Sequence, residues 1–173
     1  MTKPVLQGDV AWAGELVVGV VTSRFNHEVT SKLEEGALAR LTEAGLKPGN
    51  ILQVRVPGAF ELPLAARWLL EEGCAAVICL GAVIRGDTAH FDYVCQAVER
   101  GLTTLQLEIG RPVVFGVLTT ENEEQAFDRV GGTHGHKGRD AAEVALEMVN
   151  LENMIRSLNP NNSKESPDDQ QYR

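Results

Sequence analysis

The string GAVIRGDTAH at residues 81–90 passes from an apolar run to an arginine, an aspartate, a threonine and a histidine within a few positions. A structural turn would need the glycine and at most the aspartate. Backbone N–H groups at a helix start lack partners inside the helix and point outward. Gly86, Asp87 and Thr88 could therefore cradle a phosphate, with the Thr88 hydroxyl as a further donor. The Asp87 carboxylate would repel such an anion, so only its amide is expected to face it. The competing reading is an ordinary cap, with Asp87 or Thr88 closing the helix end. An imidazole can exchange protons near neutrality, which makes His90 a candidate for proton transfer. Histidines are also often plain surface or packed residues, but the cradle and Arg85 beside this one favour proton transfer.

Other strings carry aromatic and cationic residues. In TSRFN, Phe25 is either a ring folded onto the core or a platform for a flat heterocycle. In VPGAFE, the small residues Gly58 and Ala59 would let a ligand approach the backbone. Phe60 reads as packing or stacking. Glu61 either favours the positive helix end or accepts hydrogen bonds from ligand hydroxyl or N–H groups. Phe115, in the middle of an apolar run, faces either the core or a neighbour. RVGGTHGHKGRDAA, at 129–142, is Gly-rich and basic. Arg129 would bind phosphate as a two-pronged donor and Lys137 as a point charge; a solvated basic loop is the alternative. His90, His134 and His136 lack a cysteine or carboxylate at ligand spacing, so no metal is expected.

The elements that must position these residues are legible from hydrophobic pattern. Apolar, β-branched runs at 16–21, 51–56, 75–84 and 113–118 are continuous rather than alternating, as in parallel strands buried on both faces. Helical spacing links Val29, Leu33, Ala37, Leu41 and Ala44, with Gly45 as terminator. It recurs from Phe60 to Leu69, from Phe91 to Leu105 and from Ala141 to Ile155, with a short acidic helix at 123–129. Strand alternating with helix predicts a three-layer α/β/α sandwich around a four-stranded parallel sheet, flavodoxin-like. TSRFN, VPGAFE, IRGDTAH and LTTEN then all fall at the carboxyl ends of strands, where open α/β sheets bind ligands.

Composition narrows the classes. A chain of 173 residues, 43% hydrophobic and 23% charged, is expected to form one folded domain over 1–157. The polar stretch 158–173 is expected to be a disordered tail. A net charge of −8 argues against a nucleic-acid partner. No apolar run reaches membrane-spanning length and no signal-peptide pattern opens the chain, which points to the cytoplasm. Cys74, Cys79 and Cys95, without CxxC spacing, read as buried hydrophobes in a reducing compartment.

SRFN, VPGAFELP, GAVIRGDTAHFDYV, FGVLTTEN and HKGRDAAEVALEM resemble, in order and spacing, the 6,7-dimethyl-8-ribityllumazine synthase family, over roughly 16–155. The resemblance implies a transferase of riboflavin biosynthesis. It would condense 5-amino-6-(D-ribitylamino)uracil with 3,4-dihydroxy-2-butanone 4-phosphate, without cofactor or metal. It implies that Phe25 stacks on the pyrimidine, that Ala59, Phe60 and Glu61 hold that substrate, and that Glu61 engages its ribityl chain. Ala82, Val83 and Ile84 would meet the uracil ring through their backbone. Asp87 and Thr88 would contact the phosphate, and His90 would donate protons. Phe115 would come from an adjacent subunit, and Arg129 and Lys137 would serve the phosphate. The family also implies a homopentamer, or a sixty-subunit icosahedral capsid, with sites between neighbours. Two positions depart from its usual pattern: His136 where asparagine is common, and Asp140 where glutamate is. His136 is a candidate second titrating group. The competing functions are a related riboflavin synthase, which would not need a phosphate cradle, a flavin-binding module on the same sheet, and a shell or scaffold role.

Overall fold

Val18–Ser23, entirely buried, forms the first strand (β1) of the computed structural model, which describes residues 4–11 and 14–158. The chain continues through α1 (His27–Glu43), β2 (Ile51–Val56), α2 (Leu62–Glu71), β3 (Ala76–Ile84), α3 (His90–Ile109) and β4 (Val113–Thr120). A short helix α4 (Glu123–Phe127), a hairpin of β5 (Val130–Gly132) and β6 (Gly135–His136), and the long α5 (Lys137–Ser157) follow. The expected tail lies outside the described residues, apart from the exposed Leu158.

Strands β1 to β4 form one all-parallel sheet in the order β2-β1-β3-β4. Successive side chains of a strand point to opposite faces, and the two faces carry separate cores. Val18, Val20, Ile78 and Leu80 meet Leu33, Leu41, Ala142 and Leu146 of α1 and α5. Val21, Val77 and Cys79 meet Leu62, Leu69, Val98 and Leu102 of α2 and α3. Each fully buried leucine contributes roughly 1.5–3 kcal/mol. The three-layer, flavodoxin-like sandwich expected from the sequence is the one observed. No helix among the described residues is long and apolar enough to cross a membrane.

Three expectations change. The first strand starts at Val18, and Leu16 is exposed. The run 51–56 is a strand, but as an edge strand it buries only Val56 fully and leaves Leu52, Gln53 and Arg55 exposed. Its Arg55 grips the buried Glu34 of α1 with two nitrogens, at 3.2 and 2.7 Å. The stretch after α4 is a two-stranded antiparallel hairpin rather than an open loop.

The strand order creates the place for a site. The chain leaves β1 towards β2 on one side and leaves β3 towards β4 on the other, so the connections leaving β1 and β3 diverge. The crevice at such a switch point, beyond the carboxyl ends of the strands, is where this architecture receives ligands.

Candidate functional site

The loop leaving β1 is stitched over that crevice. Arg24 N–H donates to the Val56 carbonyl at 2.8 Å and Phe25 N–H to that of Pro57 at 3.1 Å. Asn26 adopts left-handed backbone angles (φ 57°, ψ 47°), unusual for a side-chain-bearing residue, and its amide donates to the Ala82 carbonyl at 2.8 Å. The turn thus spans the ends of β1, β2 and β3 and leaves the Phe25 ring 69% exposed. Phe60, at the turn entering α2, is 64% exposed. Neither ring packs into the core, which removes that reading for both.

Phe25 and Phe60 line one cleft of about 540 Å³, together with Ala59, Glu61, Ala82, Val83, Ile84, Thr88 and His90. Gly58, Gly86, Phe91 and Val94 complete its wall. Glu61 Oε2 accepts the Gly58 N–H at 2.9 Å, closing the turn that presents Ala59 and Phe60. A carboxylate has further lone pairs, so this bond leaves Glu61 able to accept from a ligand.

The rim at 86–88 is open. The backbone N–H groups of Gly86, Asp87 and Thr88 have no hydrogen-bond partner among the described residues. The residue preceding α3 is Ala89, which carries no capping side chain; Thr88 Oγ1 only accepts a long bond from His90 N–H, at 3.4 Å. Thr88 thus caps the start of α3 through one long bond, while the amides of residues 86–88 stay unpaired beside the cleft. Asp87 does not line the cleft, while His90, the first residue of α3, does and is exposed.

Arg85 is not part of that rim. Its Nε donates to Glu121 at 2.7 Å, its Nη1 reaches Asp92 at 3.2 Å, and its guanidinium lies 4.1 Å from the Phe91 ring centroid. Hydrogen bonding to Glu121 in the first place raises its pKa further, so it remains a fixed cation that braces the start of α3. This is a correction to the grouping of Arg85 with the anion cradle.

The remaining expected residues stand apart. Phe115 lies on edge strand β4, 43% exposed, and lines a second cleft of about 450 Å³ with Lys137, Asp140, Val144 and Met148. Lys137 Nζ donates to Asp140 at 2.7 Å. Arg129 follows α4; one guanidinium nitrogen donates to the Gln125 carbonyl at 2.8 Å, and the rest of the fork has no partner among the described residues. A single chain therefore gathers Phe25, Phe60 and His90 but not Phe115, Arg129 or Lys137. The four histidines are dispersed: His134 pairs with Asp128, His136 sits against α1, and no group of three or more metal-capable side chains occurs among the described residues.

Asn26, which none of the motifs singles out, holds Phe25 in place through its left-handed turn and its bond to Ala82. Asparagine just after a strand was the available signal, since it tolerates that conformation better than most residues.

The family model for 6,7-dimethyl-8-ribityllumazine synthase matches residues 15–153. A protein of that name from Bdellovibrio bacteriovorus is 55% identical over 138 residues, covering 80% of this chain and 76% of its own. One from Cytophaga hutchinsonii is 50% identical over 143 residues, 82% of this chain and 90% of its own. One from Coxiella burnetii is 50% identical over 135 residues, 78% of this chain and 89% of its own. The chain belongs to the 6,7-dimethyl-8-ribityllumazine synthase family.

Within a lumazine synthase framework, the two departures from the usual pattern have distinct surroundings. Asp140, one methylene shorter than glutamate, still reaches Lys137 from the same turn of α5. His136 turns inward at the end of the hairpin, where its Nδ1 is buried without a hydrogen-bond partner.

Proposed function

We propose that this protein condenses 5-amino-6-(D-ribitylamino)uracil with 3,4-dihydroxy-2-butanone 4-phosphate to 6,7-dimethyl-8-ribityllumazine, the penultimate step of riboflavin biosynthesis. The observation that carries this reading, beside family membership, is the cleft at the β1/β3 switch point. It joins two exposed phenyl rings, a histidine and a rim of unpaired amides.

In this reading Phe25 stacks on the pyrimidine, Ala82, Val83 and Ile84 offer it backbone polar groups, and Ala59, Phe60 and Glu61 hold its ribityl side. The amides at 86–88 and the Thr88 hydroxyl take the phosphate. The primary amine of the pyrimidine attacks the ketone, and water leaves to give an imine. Elimination of phosphate yields an enol that tautomerises to a ketone. The ribityl-bearing nitrogen then closes on that carbonyl with loss of a second water. Each step moves a proton, and His90, at the junction of ring and phosphate sites, is the group placed to move it. Orientation of two bound reactants contributes most, up to ~7–11 kcal/mol in ideal cases.

The separation of Phe115, Arg129 and Lys137 from the main cleft supports a homo-oligomer, a pentamer or a sixty-subunit shell, in which a neighbour brings these residues to the site. Three free cysteines, two of them buried, agree with a reducing cytoplasm. The test is incubation of the purified protein with both substrates and detection of the lumazine by absorbance and fluorescence. Stoichiometric bound flavin without product formation would instead establish a flavin-binding module.

A further inference from the structure

The two cations assigned to phosphate are neighbours across the hairpin. Val130 of β5 pairs with His136 of β6, and the Lys137 N–H donates to the Arg129 carbonyl at 2.8 Å. The hairpin therefore fixes the spacing between Arg129 and Lys137. Val130 joins the core, while Lys137 is exposed.

What seats the hairpin on the domain is a ring in a notch. The imidazole of His136 rests on Gly36 of α1, so closely that a Cβ at Gly36 would stand 2.6 Å from both ring nitrogens and nearer still to the carbon between them. Just beyond, Gly138 lies against the Leu33 backbone, where a Cβ would come within 2.8 Å of the carbonyl carbon. Two glycines, one on each helix, thus bring the start of α5 into direct contact with α1. Between them the His136 ring fills the gap, with Nδ1 buried and unpartnered. A buried polar atom without a partner is costly, so shape and not hydrogen bonding is what this ring supplies.

We propose that His136 is a positioning residue. Its imidazole, plugged into the Gly36 notch, holds the hairpin and with it the backbone spacing from which Arg129 and Lys137 would reach the phosphate of the substrate. This rests on the phosphate reading of Arg129 and Lys137 given above. The residue does not touch substrate; it acts through the register of β5 and β6.

The test is a steady-state comparison of Gly36→Ala, His136→Ala and the double variant, with Arg129→Ala and Lys137→Ala as reference points. Inorganic phosphate serves as a competing probe. His136→Ala removes the plug without adding atoms, so it remains informative should Gly36→Ala fold poorly. Expected are a KM for the butanone phosphate and a Ki for phosphate raised about tenfold in Gly36→Ala and in His136→Ala, with kcat and the KM for the pyrimidine within about threefold of the parent. Adding Gly36→Ala to His136→Ala should cost nothing further, because the ring it would displace is gone. Unchanged phosphate constants in both notch variants, with raised constants in Arg129→Ala and Lys137→Ala, would overturn the positioning role alone. A drop in thermal stability and kcat with the phosphate constants intact would reduce His136 to packing and overturn it equally. Unchanged constants in Arg129→Ala and Lys137→Ala would bring down the phosphate reading, and this inference with it.

Discussion

The side-chain amide of Asn26 donates to the carbonyl oxygen of Ala82 at 2.8 Å, tying the turn that carries Phe25 to the strand that ends at Ile84. One wall of the cleft is thereby fixed to its floor by a single bond from a residue in a left-handed conformation.

Replacing Asn26 separates the two parts of that arrangement. Asn26→Gly keeps the backbone at ease and loses only the bond, expected to cost about 0.5–1.5 kcal/mol. Asn26→Ala adds the left-handed penalty of roughly 1–2 kcal/mol. Chemical denaturation should rank Ala below Gly, and both should raise the KM for the pyrimidine substrate.

Phe25 and Phe60 are largely solvent-facing, so truncating either should leave stability within about 0.5 kcal/mol. Loss of stacking worth about 0.5–1.5 kcal/mol should weaken pyrimidine binding roughly 2- to 13-fold in Phe25→Ala. Isothermal titration with the pyrimidine, beside a denaturation curve, would check both halves.

His90→Ala should slow turnover by about 10²–10⁴-fold while leaving substrate binding nearly intact, the usual yield of a general acid–base group. Pre-steady-state binding and kcat measured on the same preparation would distinguish this from complete loss, which would mean that orientation contributes less than argued.

Asp128 anchors the hairpin turn through the Thr133 hydroxyl and His134. The Thr133 hydroxyl foremost, then His134, holds its carboxyl down at about 2, from an ordinary 3.8. A depressed carboxylate stabilises the fold above its unfolded pKa and ceases to as pH falls through the folded value. The advantage of the parent over Asp128→Asn should therefore be full above about pH 4 and vanish towards pH 2, as followed by urea denaturation across that range.

How much of this was written in the sequence depends on how local its cause is. The strand at 51–56 and the start of β4 at Val113 matched their apolar runs, and Gly45 ends its helix with positive φ, as its position suggested. The hairpin was not legible, because strands of three and two residues built largely from glycine carry no alternation of apolar and polar side chains. Exposure of Phe25 and Phe60 could not be decided from their flanks, since a ring's burial is settled by elements distant in the chain. Arg85 was misgrouped for the same reason: its partner Glu121 lies 36 positions away. The separation of Phe115 from His90 is implied by the family resemblance but not carried by the hydrophobic pattern, because the place of β4 at the sheet edge is a matter of topology.

That separation has a genetic consequence. A chain lacking His90 and a chain lacking Phe115 are damaged in different clefts. If neighbours complete one another, co-assembling the two inactive proteins should regenerate some intact junctions, each drawing its sound half from a different parent. Activity recovered from a mixture of dead variants would then count the subunit boundaries at which catalysis takes place.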